Sequence, residues 1–203
     1  QYRISGSVIS AAAAMIVRSA EFITSAVKPS QYPQESVPEI AFAGRSNAGK
    51  SSLINALVNQ KHLAKTSATP GKTRLINFFM INKAFYLVDL PGYGYGKVSQ
   101  DERKRWKPMI EYYVSARTTL KGMVIISDIR RIPGIEEVDL SNWLADIGIP
   151  AICVLSKADK LSKNEQFRQI NITAKALGTA RENLLVFSAK TRQGMDTLWE
   201  RIE

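Results

Sequence analysis

The eight residues from Gly44 to Ser51 have the types and spacing of a phosphate-binding loop. Their sequence, GRSNAGKS, matches the pattern G-x-x-x-x-G-K-S/T. In such a loop the glycines let backbone N–H groups approach phosphate oxygens, and the start of the following helix adds partial positive charge. We expect Lys50 to reach the β- and γ-phosphates and Ser51 to place its hydroxyl on Mg²⁺. The loop therefore predicts chemistry on a nucleoside triphosphate.

The segments on either side of this loop have the patterns of a strand and a helix. The apolar run at 39–43 indicates a strand that enters the loop. Leu53, Ile54, Leu57 and Val58 follow it at helical spacing. A strand, a glycine-rich turn and a helix N-terminus are the elements that place N–H groups around a phosphate. We therefore expect the loop to join a buried strand to a helix.

Further along the chain, strand-like runs alternate with helical patterns. The predicted strands are Ile40–Ala43, Leu75–Ile81, Ala84–Asp89, Gly122–Ser127, Ala151–Ser156 and Leu184–Phe187. The predicted helices are Lys50–Val58, Gln100–Ser115, Ile135–Asp146, Asn164–Leu177 and Gly194–Ile202. This alternation predicts an α/β fold with a mostly parallel six-stranded sheet, one antiparallel edge hairpin turning at Asn82-Lys83, and helices on both faces. Ligands of such sheets bind at the carboxyl ends of the strands.

Asp89-Leu90-Pro91-Gly92, at the end of the third predicted strand, matches the pattern D-x-x-G. The aspartate can hold Mg²⁺ through water, and the glycine N–H can sense a γ-phosphate. Alone, this tetrapeptide is also an ordinary turn sequence. Its place at a strand end, in order with further boxes of the same kind, favours the phosphate role.

Two later segments predict recognition of guanine. Ser156-Lys157-Ala158-Asp159 resembles the box N/T-K-x-D, in which a carboxylate accepts two hydrogen bonds from N1–H and the exocyclic amine of guanine. Adenine offers neither donor in that arrangement, and each lost pairing costs about 1–3 kcal/mol. Ser156 departs from the usual Asn or Thr, but its hydroxyl keeps most of the hydrogen bonding of Thr. Ser188-Ala189-Lys190 follows the last predicted strand and matches an S-A-K loop behind the base.

These motifs together make the chain similar to a known family. The runs AFAGRSNAGKSSLIN, TPGKTRLINFF, VDLPGYGYG, SDIR and SKADK resemble the EngB (YihA/YsxC) family of bacterial ribosome-biogenesis GTPases, over roughly Glu21 to Glu203. The resemblance implies a three-layer P-loop NTPase fold of the Ras-like G-domain type. It also implies a cytoplasmic GTPase that acts in late assembly of the large ribosomal subunit, a role linked to normal growth and division.

In such a GTPase the segment 66–74 takes the place of the first switch, where a threonine reaches Mg²⁺. Thr69 and Thr73 compete for that role, and we favour Thr73 because it lies just before the next strand. The predicted catalytic residues are Lys50, Thr73 and Gly92, and the predicted Mg²⁺ ligands are Ser51, Thr73 and, through water, Asp89. The predicted nucleotide contacts are Gly44, Arg45, Ser46, Asn47, Ala48, Gly49, Lys50, Ser51, Ser52, Gly71, Lys72, Thr73, Asp89, Leu90, Pro91, Gly92, Ser156, Lys157, Ala158, Asp159, Phe187, Ser188, Ala189 and Lys190.

Tyr93 takes the position after D-x-x-G, where Ras-like enzymes have a water-orienting glutamine. A tyrosine offers no amide, so we expect slow intrinsic hydrolysis that a partner or a cation accelerates. Asn47 occupies the position at which some related GTPases help to bind K⁺, although a turn-compatible polar residue is an equal interpretation. The glycine-rich segment 93–96 predicts a second switch.

The net charge of +10 indicates a polyanionic partner, either nucleic acid or an anionic membrane, although a charge that only aids solubility is the alternative. Arg103, Lys104, Arg105 and Lys107 surround Trp106 and are candidate contacts to ribosomal RNA, or else the solvated face of a helix. No stretch reaches about 18 consecutive apolar residues, so we expect no membrane span and no membrane partner.

We expect one GTP-binding domain at 21–203, monomeric, preceded by an N-terminal extension at 1–20 and an extended, proline-containing lead-in from Glu21 to Pro38. Part of 1–14 is hypothesised to come from an expression vector, with Met15 as the native first residue. Three alternatives stay open: a P-loop kinase for a small molecule, an ATPase, and a nucleotide-gated RNA-binding or ribosome-binding module in which hydrolysis is incidental. The switch-like segment and the SKAD and SAK boxes argue against the kinase.

Overall fold

The structure, a computed structural model, describes residues 15–64, 75–93 and 100–203, and for 100–107 it describes the backbone alone. The strands are β1 (Ala20–Ala26), β2 (Glu39–Gly44), β3 (Ile76–Ile81), β4 (Phe85–Asp89), β5 (Leu120–Asp128), β6 (Ala151–Ser156) and β7 (Leu184–Val186). The helices are α1 (Lys50–Leu57), α2 (Gln100–Ala116), α3 (Ile135–Asp146), α4 (Lys163–Leu177) and α5 (Met195–Ile202). Single turns of 3₁₀-helix occur at Pro29–Gln31, Ala158–Lys160 and Arg181–Asn183.

The described strands form one sheet in the order β1-β3-β4-β2-β5-β6-β7. The four pairs β4–β2, β2–β5, β5–β6 and β6–β7 are parallel, while β3 is antiparallel to both β4 and β1. The parallel arrangement brings the carboxyl ends of β2, β4, β5 and β6 to one edge of the sheet, where the predicted motifs lie. The predicted fold class is confirmed.

Within the described ranges the sheet has seven strands and not the predicted six, because part of the predicted lead-in pairs with β3 as β1. The β3–β4 hairpin is consequently covered on its outer side and does not form the edge. A break in register between Phe22 and Thr24 interrupts the strand, and only Ala20 and Ala26 at its two ends are buried. This interruption removes the two-residue alternation by which a strand is usually read from sequence.

Apolar side chains cover both faces of the sheet. One buried cluster joins Phe42, Leu87 and Val124 to α1 and α5, and a second joins Ala41 and Val88 to α2 and α3. Alternate residues of β2 therefore point to opposite layers, as expected for a central strand. None of the helices in the described ranges combines the length and the apolar content that crossing a membrane requires.

A buried ion pair lies at the amino-terminal ends of the parallel strands, opposite the edge where the predicted motifs lie. Glu39, at the start of β2, is fully buried and is paired with Arg117, which follows α2. Tyr113 of α2 donates its hydroxyl to the same carboxylate at 2.7 Å, and Thr119 donates at 2.9 Å. The carboxyl-terminal end of α2 is thus attached to the central strand of the sheet.

Candidate nucleotide-binding site

The phosphate loop runs from the end of β2 at Gly44 to the start of α1 at Lys50. Gly44 has to be glycine, because a Cβ at this position would lie 2.6 Å from the carbonyl oxygen of Ile126 on β5. Gly49 precedes the helix with φ = 99°, in the left-handed region that favours glycine. Asn47 has φ = 65°, a conformation that asparagine tolerates better than most residues. The residues therefore set both the close approach of the two strands and the turn into the helix.

The segment after β4 packs directly on this loop. The N–H of Ser46 donates to the carbonyl of Tyr93 at 2.9 Å, and the N–H of Tyr93 donates to the carbonyl of Gly44 at 3.3 Å. A Cβ on Gly92 would lie 3.1 Å from the Ser46 Oγ and 3.2 Å from its backbone nitrogen. The glycine predicted to sense a γ-phosphate thus lies beside the loop predicted to bind it.

Lys50 and Asp89 form an ion pair at the centre of the site. Lys50 is the first residue of α1, Asp89 is the last residue of β4, and both side chains are largely buried, at 11% and 4% exposed. The carboxylate of Asp89 and the hydroxyl of Ser51, one residue after Lys50, are hard oxygen donors. Such donors suit Mg²⁺, which proteins hold through one or two side chains together with phosphate oxygens and water. The side chains present therefore fit the metal that the sequence predicts.

The base box, the segment from Ser156 to Asp159, begins at the last residue of β6 and is organised around Asp159. Ser188, which is fully buried, donates its hydroxyl to Asp159 Oδ1 at 2.7 Å. The hydrogen bond from Ser188 holds the pKa of the Asp159 carboxyl below its usual value, and the positive charges of Lys160 and Lys190 act in the same direction. The carboxylate is thus a fixed, ionised acceptor, which is what two guanine N–H donors require.

The neighbouring loop supports this box through its backbone. The N–H of Ala158 donates to the carbonyl of Phe187 at 3.1 Å. The side chains of Phe187 and Leu90 are buried in the hydrophobic clusters, at 1% and 0% exposed. These two residues were predicted nucleotide contacts. Their main chains lie next to the site, whereas their side chains stabilise the core.

The base box is also hydrogen-bonded to the phosphate loop. The Ser156 hydroxyl lies within hydrogen-bonding distance of the carbonyls of Ala48 and, at 3.1 Å, Ser127. Lys157 Nζ donates to the carbonyl of Asn47 at 2.6 Å. A serine therefore suffices at the position where Asn or Thr is usual, because its hydroxyl reaches the phosphate loop directly.

Asp128 is a residue of this site that the sequence analysis did not single out. It ends β5, and its Oδ2 lies 3.0 Å from Lys157 Nζ. Arg130 donates to both oxygens of the same carboxylate, from Nε at 2.9 Å and from Nη2 at 2.6 Å. The run SDIR carried the signal, since a carboxylate and a guanidinium two residues apart at a strand end can form such a pair.

Tyr93 has a buried side chain, at 3% exposed, in the cluster covered by α2 and α3. Burial raises the pKa of its hydroxyl, and the nearby carboxylates of Glu137 and Glu136 raise it further. Arg45 of the phosphate loop lies 3.8 Å from Glu136. The residue after D-x-x-G therefore anchors its segment to the core and to α3.

The structure brings together the predicted residues of the phosphate loop, the D-x-x-G segment and the two base loops. The first-switch segment, including Gly71, Lys72, Thr69 and Thr73, lies outside the described residues, as do 94–99 of the predicted second switch. The backbone of α2 contains Arg103, Lys104, Arg105 and Lys107, whose side chains also lie outside the description. The roles predicted for all of these residues stay predictions.

A mostly parallel sheet with a phosphate loop after β2, an aspartate at the end of β4 and a carboxylate box after β6 defines a P-loop GTPase domain. Comparison with known proteins agrees. A family model described as "50S ribosome-binding GTPase" matches residues 39–157.

Relatives over nearly the full length carry the name "Probable GTP-binding protein EngB". The one from Desulfatibacillum aliphaticivorans is 55% identical over 188 residues, which are 93% of this chain and 92% of the relative. The one from Geobacter sp. (strain M21) is 52% identical over 189 residues, 93% of this chain and 88% of the relative. The chain belongs to the EngB family of P-loop GTPases.

Solved structures show the same fold. The crystal structure of a probable GTP-binding protein engB is 27% identical, with a TM-score of 0.67, and the match covers 81% of this chain and 96% of that one. A variant of Aquifex aeolicus Era bound to GDP and AlF₄⁻ is 23% identical, with a TM-score of 0.62, over 82% of this chain and 56% of that one.

Proposed function

We propose that this protein hydrolyses GTP to GDP and phosphate and acts as a nucleotide-gated factor in assembly of the large ribosomal subunit. The Lys50–Asp89 pair carries the catalytic part of the proposal, because it places the phosphate-binding lysine beside the carboxylate suited to Mg²⁺. The description of the matching family and the net charge of +10 support the ribosomal part. A cytoplasmic, monomeric protein without a membrane partner belongs to the same proposal.

The chain's contribution to hydrolysis is positioning and charge stabilisation. Lys50 and the N–H groups of the phosphate loop bind the β- and γ-phosphates. Ser51, Thr73 and, through water, Asp89 would hold Mg²⁺, which when bound neutralises charge that develops on the phosphate oxygens. Gly92 donates its N–H to the γ-phosphate in this proposal, which its close approach to Ser46 of the phosphate loop supports. The base lies against Asp159, with Ser188 fixing the carboxylate.

Hydrolysis without a partner is proposed to be slow. Tyr93 offers no amide to orient water, and its ring is buried in the core. The missing charge can come from a K⁺ ion bound near Asn47, an exposed residue of the phosphate loop. Single-turnover hydrolysis compared in K⁺ and Na⁺ at matched ionic strength tests this part. A faster rate in K⁺ supports it, and equal rates contradict it.

Helix α2 connects the D-x-x-G segment to the proposed RNA contacts and can therefore make RNA binding depend on the nucleotide. This helix follows the predicted second switch, and its far end is attached to β2 through Arg117 and Glu39. A change of the D-x-x-G segment with the nucleotide would therefore act on the near end of the helix, where the basic residues from Arg103 to Lys107 lie. These residues are the proposed contact to ribosomal RNA.

Co-sedimentation with purified large ribosomal subunits tests the ribosomal part, with a non-hydrolysable GTP analogue, GDP or no nucleotide, across a salt series. We expect binding that requires the analogue and weakens steeply with salt, because phosphate contacts release counterions. Arg103→Gln/Lys107→Gln should weaken binding and flatten the salt dependence, whereas Lys163→Gln/Lys175→Gln on α4 removes the same charge from another surface. Binding that is absent, or equal in all nucleotide states, contradicts the proposal.

A further inference from the structure

Asp128 contacts the base box through Lys157. Its backbone pairs in register with Ser156 across the β5–β6 ladder, so the sheet itself places it beside Lys157. Its side chain is 4% exposed, and Oδ2 lies 3.0 Å from Lys157 Nζ. A carboxylate this buried is rare unless it is paired, and here the partner is a residue of the base box.

Lys157 is held at both ends of its side chain. Its backbone has φ = 61°, a left-handed conformation that few residues other than glycine adopt. Its Nζ lies between Asp128 and the carbonyl of Asn47. Its Cε would lie 3.6 Å from a Cβ added to Gly49, so the stem crosses the phosphate loop just before α1. The backbone of Lys157 and the ammonium end of its side chain are thus both held, and the stem between them passes the phosphate loop.

Arg130 fixes the carboxylate in turn. Besides the two side-chain hydrogen bonds, the N–H of Arg130 donates to Asp128 Oδ1 at 3.1 Å. Burial alone would raise the pKa of Asp128, but the hydrogen bonds from Arg130 and Lys157 outweigh it and hold the pKa well below the usual value. The carboxylate stays charged and keeps one orientation across the pH range of ordinary assays.

We propose that Asp128 is a positioning residue for nucleotide binding, which holds Lys157 against the phosphate loop so that the lysine stem forms one wall of the base site. This proposal rests on the assignment of the base to the segment 156–159. The wall contacts the base equally in the ground state and in the transition state. Its loss should therefore raise KM and leave the chemical step little changed.

The test compares the full-length protein with Asp128→Asn, Lys157→Met and the double variant. The measurements are GDP affinity by competition with a fluorescent GDP derivative, KM and kcat for GTP, and thermal unfolding. Asp128→Asn should bind GDP about tenfold more weakly, the scale of one partly exposed hydrogen bond between charged groups. KM should rise by a similar factor. The double variant should bind no more weakly than Lys157→Met, because Asp128 acts through the lysine. Asp139→Asn, at an exposed carboxylate on α3, is the matched control and should match the wild type.

Two outcomes overturn the proposal: an Asp128→Asn protein that melts earlier but keeps the wild-type KM and GDP affinity, and a double variant whose losses add. Arg130→Gln keeps the test valid if Asp128→Asn fails to fold, since it loosens the carboxylate without removing it and should raise KM in the same direction. A wild-type protein that binds ADP as tightly as GDP contradicts the base-site assignment instead, and so separates the two failures.

Discussion

Asp159→Asn should change the base preference of this protein from guanine to xanthine. In the structure the Asp159 carboxylate is 12% exposed and is oriented by Ser188. Guanine offers it two N–H donors, and each hydrogen bond to a charged acceptor stabilises binding by about 1.5–3 kcal/mol. An asparagine can accept one of them but turns an N–H₂ group towards the other. The one lost hydrogen bond should therefore lower GDP affinity by about 1.5–3 kcal/mol, or roughly 10- to 150-fold.

Xanthine carries a carbonyl where guanine has its exocyclic amine. The wild-type carboxylate repels that oxygen, whereas the side-chain amide that the substitution introduces would donate to it, so XDP should gain affinity in the variant while GDP loses it. The assay is competition of GDP, XDP and ADP against a fluorescent nucleotide, with Asp139→Asn as the control of equal charge. A variant that keeps the wild-type order of affinities would refute the assignment of Asp159 as the base-reading residue.

Other consequences can be measured by urea unfolding and GDP affinity. Gly44→Ala should cost about 2–3 kcal/mol of unfolding free energy and weaken GDP binding, because its Cβ would collide with a backbone carbonyl of β5. Gly148→Ala, which has positive φ but open space, should cost about 1 kcal/mol and leave affinity unchanged. Ser156→Ala leaves a buried phosphate-loop carbonyl without its donor and should lower both stability, by about 1–3 kcal/mol, and affinity, while Ser156→Thr restores them. Arg117→Ala leaves a buried carboxylate of β2 without its cation and should cost about 3–5 kcal/mol. Arg181→Ala, at an exposed arginine over a phenylalanine ring, should cost no more than about 1 kcal/mol. Equal losses of unfolding free energy in Gly44→Ala and Gly148→Ala would contradict the steric argument. Equal losses in Arg117→Ala and Arg181→Ala would contradict the burial argument.

The parts of the fold that carry phosphate chemistry were predictable from sequence because their constraints are local. A strand, a short glycine-rich loop and a helix start are contiguous, and the glycines follow from backbone geometry within that span. The position of β1 was not predictable in this way. Its pairing with β3 joins residues about 50 positions apart, such as Ser25 and Asn77. The bulge between Phe22 and Thr24 removes the alternation that would have identified it.

The polar contacts that the sequence did not predict lie between elements that are distant along the chain. Glu39 and Arg117 pair across 78 positions, and the pairing depends on α2 returning to the start of β2. Asp128 and Lys157 meet because β5 and β6 are neighbours in parallel, which brings both strand ends to the same edge. A single sequence contains the charges but not the strand order that makes them partners.

The hydrogen bonds between the base box and the phosphate loop lower the free energy that is lost in ordering the loop when phosphates bind. Ser156 contacts the carbonyl of Ala48 and Lys157 contacts that of Asn47, two successive residues of the phosphate loop. A loop whose carbonyls are already held has its N–H groups aimed before a phosphate arrives, so less ordering free energy is lost on binding. Disturbing the base box should consequently weaken the binding of the phosphates as well as of the base. A base-free ligand such as inorganic triphosphate should therefore bind more weakly to Ser156→Ala than to the wild type, although it never touches the base site. Equal affinities for triphosphate would show that the two halves of the site bind independently.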